Sequence, residues 1–343
     1  MLSLVEVANE GASGMNRYLG IAALLGICPA ANAETLNIAG YYAAGADVER
    51  KVETIVVEDF VGDAGPELSF LLTDQLADIE IEGRGWFSIV PESLADRYLA
   101  TRTSYSGLDS DGTAKGHNFF PTVAALQGSV HTQINEYDTD AKEVEKCVKK
   151  VDGDCVKRET VTYECRVFSV GYSPSVRLTA SDGTVLYRDS RYLDADQTYC
   201  MDEADTPDPY EMLESLAQSY SYAVRLDLAP HYRDEDIRIL ERRKGMSKPD
   251  AKRFKEAVRL TKTDPSAACL AFGELEADNQ LHLSVLFNIG LCHESAGDLH
   301  ASLDYYTRAL EVSPKKHQAK AGLSRVISRI DAERQIVDHL SST

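Results

Sequence analysis

Apolar residues near the carboxyl end of the chain recur at helical spacing in two neighbouring segments, residues 284–296 and 299–312. Each segment carries an apolar residue at every third or fourth position, which places these residues on one face of an α-helix. The first stripe is Leu286, Ile289 and Cys292, and the second is Leu299, Leu303, Tyr306 and Leu310. The spacing therefore predicts two amphipathic helices that pack together as a hairpin.

Small residues and a proline stand where such a hairpin needs them. A glycine allows the partner helix to approach, a second permits the left-handed backbone that ends the first helix, and a proline stops the second helix. With the flanking leucine, tyrosine and alanine, these positions resemble the tetratricopeptide repeat: Leu286, Gly290, Gly297, Tyr306, Ala309 and Pro314. The resemblance implies a helical repeat of about 34 residues.

Weaker patterns flank this repeat. Residues 264–279 predict the second helix of a degenerate preceding repeat, and the stripe over 319–330 predicts a helix that caps the stack. The resemblance implies a short groove that accepts a partner segment, and we expect His282 and Asn288 on its exposed face. An ordinary α-helical hairpin without a groove is the alternative.

The preceding residues, 48–232, alternate between β-branched runs and amphipathic helical segments. A strand at 52–58 is followed by a helical segment, and a helix over Pro209–Leu228 closes the unit. This alternation predicts an α/β (α+β) domain with a mixed sheet. A linker at 231–248 would join it to an all-α domain of tetratricopeptide-like hairpins at 249–341.

Short hydrophobic motifs of the first domain resemble a family of envelope proteins. They lie at residues 52–60, 85–92, 124–130, 176–178 and 182–186. They are similar to the periplasmic domain shared by the curli-secretion channel CsgG, the penicillin-binding-protein activator LpoB and the amino-terminal domain of TolB. The resemblance implies a cell-envelope protein of a Gram-negative bacterium that acts by protein contacts, and it supplies no catalytic residues.

A densely charged insert, residues 138–166, interrupts this domain. It lacks the alternating apolar face of a membrane-spanning hairpin. We expect either an extension, pinned by disulfides, that a partner recognises or a solvated loop without a role.

Four cysteines in and near the insert indicate disulfides rather than zinc, because no Cys-x-x-Cys pair occurs. Of three connectivities, the favoured one joins Cys147 to Cys155 and Cys165 to Cys200. A tight turn at residues 152–153 would leave Cys147 out of reach of Cys155, so this bridge predicts a looser loop.

Two further cysteines, Cys269 and Cys292, fall on adjacent predicted helices of the repeat region. They could form a third bridge or remain buried thiols.

The amino-terminal residues 1–33 have the pattern of a secretory signal peptide, with the start at Met15. A charged start, a short apolar run and small residues before a cleavage point follow in order. This predicts a periplasmic location. An alternative interpretation has Cys28 lipidated, which would attach the protein to the outer membrane.

The negative net charge of the chain limits the classes of partner that it can bind. The formal charge is −19, and removal of residues 1–33 leaves 35 basic and 53 acidic residues, a charge of −18. Phosphate groups repel such a chain, which argues against nucleic acid and against anionic lipid unless Cys28 is lipidated. Soluble protein or peptide partners remain the natural targets.

No motif of the sequence predicts catalysis. The nucleophile elbow, the phosphate-binding loop and the His-Glu-x-x-His pattern are missing, and the histidines are scattered. We therefore expect no cofactor, no metal and no enzyme, but an adaptor or assembly factor of the envelope. The alternatives are a CsgG-like secretion or assembly component and an unrecognised hydrolase, and the oligomeric state stays open.

Overall fold

The computed structural model describes most of the chain after the predicted leader. The described residues are 34–46, 48, 52–94, 123–202 and 206–341. The predicted signal peptide, its start at Met15 and the alternative lipidation site at Cys28 lie outside them. No helix among the described residues is long and apolar enough to cross a membrane.

The elements divide into a β-rich first part and a helical second part. The strands are β1 (Thr35–Tyr42), β2 (Thr54–Val57), β3 (Val61–Gly62), β4 (Glu80–Ile81), β5 (Arg84–Gly85), β6 (Ser88–Pro91), β7 (Val123–Val151), β8 (Asp154–Ala180), β9 (Val185–Ser190), β10 (Leu193–Cys200) and β11 (His231–Arg238). The helices of twelve residues or more are α1 (Gly65–Ala77), α2 (Pro209–Leu228), α3 (Lys248–Leu260), α4 (Pro265–Glu276), α5 (Leu283–Ser295), α6 (Leu299–Val312) and α7 (His317–Ser341).

The main sheet is mixed, as predicted. Its order is β10-β8-β7-β2-β6, with β3 beside β7 and β9 beside β8. Strand β2 pairs in parallel with β6 and with β7, whereas β7, β8 and β10 pair antiparallel. The predicted helix over Pro209–Leu228 is also confirmed, with Asp208 accepting a hydrogen bond from the backbone N–H of Tyr210.

Helices α1 and α2 supply the core of this first part. Leu68, Leu72 and Leu76 recur every fourth residue on α1 and are fully buried. They share one apolar cluster with Val224 and Leu228 of α2 and with the inward side chains of the sheet. Each such leucine contributes about 1.5–3 kcal/mol by leaving water.

Strands β7 and β8 continue far beyond the sheet as a two-stranded ribbon. Their backbone ladder runs through the charged insert, residues 138–166, with three register shifts, so the insert is a strand-paired extension rather than a loop. Strand β10 accompanies β8 only as far as the pair of Cys200 and Cys165. We call residues 142–163, which lie beyond this point, the arm.

The predicted linker at 231–248 is wrong in its first half. Residues His231–Arg238 form β11, which pairs antiparallel with β1 from Tyr42 to Thr35. Leu36 and Ile38 of β1 are buried in the core of the helical part, not in that of the first part. The β1–β11 ribbon thus belongs to the helical core, and its strands come from chain segments almost 200 residues apart.

The carboxyl-terminal region is helical, as predicted. Helices α3 to α7 pack in sequence and share one core. Two aromatic contacts in it join Phe254 to Phe272 and Phe287 to Tyr306, with ring centroids 5.5 Å apart in each pair.

Candidate functional site

The predicted groove residue Asn288 does not face solvent. It is fully buried, and its side-chain amide forms two hydrogen bonds with the backbone of Leu240. The oxygen Oδ1 accepts from the Leu240 N–H at 2.8 Å, and Nδ2 donates to the Leu240 carbonyl at 3.0 Å. Asn288 therefore holds the chain's own segment after β11, and the prediction of an exposed groove residue is wrong.

His282 is also engaged within the chain. It precedes the first turn of α5, and its Nε2 lies 3.3 Å from the carbonyl oxygen of Lys244. Burial lowers the pKa of His282 below its usual range, and the nearby Arg242 acts in the same direction. The ring is half-buried against Phe254, so it belongs to a packed junction rather than to an open concave surface.

The same side of α5 is covered further along by β1. Ser295 donates a hydrogen bond to the carbonyl of Asn37 at 2.8 Å, and Arg329 of α7 donates to the carbonyl of Ala39 at 3.0 Å. Gly40 lies so close to Arg329 that an added Cβ would stand 2.7 Å from the guanidinium. The face that the repeat would offer to a partner segment is thus filled by β1 and by the chain after β11.

A buried ionic cluster joins α5, α6 and α7 at this junction. Glu294 is fully buried and accepts hydrogen bonds from the Tyr306 hydroxyl at 2.7 Å and from two nitrogens of Arg325 at 2.7 and 2.5 Å. Arg329 donates to the backbone carbonyl of Glu294 at 3.0 Å. Burial raises the pKa of Tyr306, and the charge of Glu294 raises it further. The buried carboxylate is thus matched by donors on both oxygens, as buried charges require.

An adjoining side of α5 borders an open groove. The groove lies between α4 and α5 and encloses about 760 Å³. Its lining includes Leu36, Cys269, Leu270, Ile289, Cys292 and Tyr305. Cys269 and Cys292 form a disulfide across it, and the side chain of Leu270 is 74 % exposed. We call this surface the α4–α5 groove.

Polar side chains form one rim of the α4–α5 groove. His293 stacks on Tyr305 with centroids 5.3 Å apart, and the Tyr305 hydroxyl donates to Glu276 at 2.7 Å. Arg308 lies 2.7 Å from the same carboxylate. Burial alone would raise the pKa of Glu276, but the hydrogen bonds from Tyr305 and Arg308 outweigh burial and lower it. The charges of Glu276 and Arg308 at this rim therefore neutralise each other, and the rim lies beside an apolar floor.

The repeat residues occupy the hairpin of α5 and α6. Leu286, Tyr306 and Ala309 are fully buried. A Cβ at Gly290 would stand 3.0 Å from the Tyr306 ring, and Gly297 has φ +79°, so both glycines have the backbone roles that the pattern indicates. Pro314 follows the end of α6 directly after Ser313. These contacts fit a helical hairpin with or without membership of the tetratricopeptide class.

Of the two remaining disulfides, one joins β8 to β10 and the other lies near the end of the β7–β8 ribbon. The structure pairs Cys165 with Cys200, which stand directly opposite each other on β8 and β10, and Cys147 with Cys155 near the tip. Three disulfides indicate an oxidising compartment, either extracellular or periplasmic. We call the Cys147–Cys155 bond the tip disulfide.

The expected looser loop near the tip disulfide is wrong. Asp152 and Gly153 have φ +51° and +91°, so they form a tight two-residue turn. Lys150 does stand opposite Cys155, yet the Cα atoms of the two cysteines are only 5.8 Å apart. Two register shifts between Cys147 and Lys150 bring them together. A bulge on each strand thus replaces the longer loop.

Within the described residues, no cluster of histidine, cysteine, aspartate and glutamate could hold a metal ion. No protein-family model matches the chain, and no curated protein matches it. Among solved structures, the chain is similar to a dodecamer of a single-substitution PelC variant from Paraburkholderia phytofirmans, with 13 % identity and a TM-score of 0.21. The similarity covers 57 % of this chain and 99 % of that one.

Proposed function

We propose that the protein is an exported adaptor or assembly factor of the cell envelope, acting by binding other proteins. The observation that carries this proposal is the α4–α5 groove. It is an open, largely apolar depression with a volume of about 760 Å³, and no segment of the described chain fills it. A soluble protein that keeps a large apolar depression with an exposed leucine at its edge commonly uses it for binding. The three disulfides support an extracytoplasmic setting.

The proposal moves the partner to the adjoining side of helix α5. The sequence pattern favoured the face that carries Asn288, and this face is occupied by β1 and by the segment around Leu240. The α4–α5 groove lies between the weak predicted repeat and the clear one. A partner segment with large apolar side chains would bury Leu270 and cover the disulfide of Cys269 and Cys292.

Chemistry at the α4–α5 groove supports binding rather than turnover. The titratable groups of the rim, Glu276, Arg308 and His293, are occupied by one another, by Tyr305 and by Asp298. The groove floor is formed by apolar side chains and a disulfide. An apolar floor with a neutralised rim gives affinity for an amphipathic segment and fixes its orientation at one edge.

The experiment is site-specific photo-crosslinking in the native envelope, with the photoreactive residue at position 266, where the exposed Ser266 also lines the α4–α5 groove. The matched pair of variants is Leu270→Lys in the groove and Leu281→Lys outside it. Both leucines are exposed, 74 % and 81 %, so neither change removes core packing. We expect one defined envelope protein to be crosslinked, with capture reduced by Leu270→Lys and retained in Leu281→Lys.

Equal capture by the two variants, or crosslinks spread over many unrelated proteins, would contradict the proposal. Circular dichroism and thermal unfolding of both variants serve as the folding control. Because both side chains lie at the surface, their unfolding midpoints should stay close to that of the parent protein.

A further inference from the structure

The arm is a separate surface with its own chemistry. Beyond Cys165 its strands pair only with each other among the described residues. From there to the turn each strand runs for about eleven residues, so the tip stands roughly 35 Å away from the sheet. This distance is several times the Debye length of about 8 Å at physiological ionic strength. The tip is therefore electrostatically independent of the acidic body.

The end of the arm has the opposite charge from the rest of the protein. Residues 146–158 contain five basic and two acidic residues, a formal charge of +3, whereas the remainder of the chain carries −22. Lys149 and Lys157 stand directly opposite each other in the ladder. Like charges in cross-strand positions destabilise a hairpin, so this arrangement costs stability and is not explained by folding.

Neutralisation within the arm is incomplete. Lys157 reaches Glu159 at 2.6 Å and Arg158 reaches Glu145 at 3.4 Å, both as exposed pairs that contribute little. Lys149 and Lys150 have no acidic partner among the described residues. These two ammonium groups are thus available to an external anion.

Apolar side chains accompany the charges. The two register shifts near the tip leave Val148 and Val156 as the extra residue of each strand, and these valines are 48 % and 56 % exposed. Val151 beside the turn is 47 % exposed. A patch of lysines and valines on a rigid hairpin complements a segment that alternates acidic and apolar side chains.

We propose that the arm binds an extended, acidic segment of a partner protein by strand addition to an outer edge. Both edges of the arm present backbone N–H and C=O groups that no described strand pairs with, which is the template for such addition. The lysines select the acidic side chains and the valines cover the apolar ones. Unpaired backbone groups disfavour burial of the same ribbon in lipid, so a protein segment fits better than a membrane.

This interaction is distinct from the α4–α5 groove and depends on the proposed function only in that the protein binds proteins. The probe is a fluorescent peptide of about ten residues, the strand length of the arm, that alternates Glu and Val. Anisotropy is measured with the oxidised full mature protein from low to high salt. Companion probes are a Lys-Val peptide, a Glu peptide with interspersed prolines, and vesicles of equal parts phosphatidylglycerol and phosphatidylcholine.

The variants test charge and site together. Lys149→Glu with Lys150→Glu reverses charge at the tip, and Lys255→Glu with Lys315→Glu makes the same change in net charge on the helical body. We expect the first double variant to bind the Glu-Val peptide about tenfold more weakly, and the second to bind like the parent protein. Leu270→Lys should leave this binding unchanged, so the groove and the arm can fail independently.

Four results would overturn the inference. They are absence of Glu-Val binding, equal binding of the proline-containing peptide, equal loss in both double variants, and binding to vesicles without binding to the peptide. The third result would mean that net charge alone acts, and the last would identify a lipid-binding element instead. Because the arm lies outside both cores, the variants should fold, and retention of the tip disulfide can be checked by mass.

Discussion

Removal of the Glu294 carboxylate tests whether the buried cluster holds helices α5, α6 and α7 and strand β1 together. Glu294 is fully buried, and its two carboxylate oxygens are matched by Tyr306 and by two nitrogens of Arg325. The substitution Glu294→Ala would leave the guanidinium of Arg325, whose side chain is only 12 % exposed, without its counter-ion. Arg329, which bridges α5 to β1, lies 3.9 Å from the same carboxylate.

The expected loss is large because the charge left behind cannot reach water. Breaking a buried ion pair by removing one partner costs about 3–5 kcal/mol. At roughly 2–4 °C per kcal/mol for a chain of this size, the unfolding midpoint should fall by about 10 °C. Glu276→Gln is the matched control, since its pair with Arg308 is partly exposed, and its loss should stay within about 1 kcal/mol.

The assay is equilibrium denaturation of the oxidised protein, combined with hydrogen exchange of the β1 amides. Exchange in β1 should rise in Glu294→Ala, because Arg329, which donates to the Ala39 carbonyl, loses the carboxylate charge that lies 3.9 Å from its guanidinium. The double variant Glu294→Met with Arg325→Met removes both charges and should recover about 2 kcal/mol of the loss. A loss below about 1 kcal/mol in the single variant, or no recovery in the double variant, would refute the reasoning.

Three further perturbations probe the junction and the ribbon. Asn288→Ala should cost about 2 kcal/mol in denaturation, because the partly buried N–H and C=O of Leu240 lose their partners. Faster exchange of the Leu240 amide is the direct readout. Burial lowers the pKa of His231 to about 4, so the unfolded chain takes up this proton first as the pH falls, and the contribution of His231 to stability should be complete above about pH 6.5 and decline towards pH 4. In a pH series of denaturation midpoints, His231→Phe should flatten this dependence. An NMR titration midpoint of His231 above about 6.5 would contradict the prediction. Replacing Cys165 and Cys200 by serine should cost about 3–4 kcal/mol of unfolding free energy, because this disulfide closes a long loop onto the sheet. Loss of the tip disulfide should leave the denaturation midpoint of the whole protein unchanged. Equal shifts of the midpoint in the two variants would show that the arm folds together with the body.

The local periodicity of apolar residues was sufficient to predict the helices, but it was insufficient to predict which segments pack against them. The hairpin of α5 and α6 follows from apolar residues spaced by three and four, and α2 follows from a proline start and one apolar face. Asn288 was misplaced because its immediate neighbours on α5 are apolar on all sides. A helix that is apolar all round is buried, so a polar residue in its middle predicts an internal hydrogen-bond partner.

The missed strands have a different physical reason. Strand β1 alternates clearly, with Leu36 and Ile38 inward, but it directly follows the predicted leader. Its partner β11 carries five charged residues in eight and resembles a linker. The pairing depends on a register between segments almost 200 residues apart, and no local pattern encodes such a register.

The arm shows the same limit in another form. Its strands are rich in lysine and glutamate on both faces, so the period of two that marks a half-buried strand is absent. Cysteine spacing indicated a disulfide between Cys147 and Cys155. A regular antiparallel ladder closed by a tight turn at residues 152–153 would have placed the two cysteines too far apart to form it. The two bulges that resolve this conflict leave Val148 and Val156 exposed.

Helix α5 connects these observations, because every side of it has a different neighbour. One side holds Leu240 and β1, a second packs on α6, and a third forms a wall of the α4–α5 groove. A segment bound in the groove would therefore contact the same helix that carries Glu294 and anchors Arg329. Arg329 also donates to the carbonyl of Ala39 in β1. Helix α5 would therefore be contacted both by a segment bound in the groove and by the arginine that holds the β1–β11 ribbon. The arm projects from the other core and has no part in this junction.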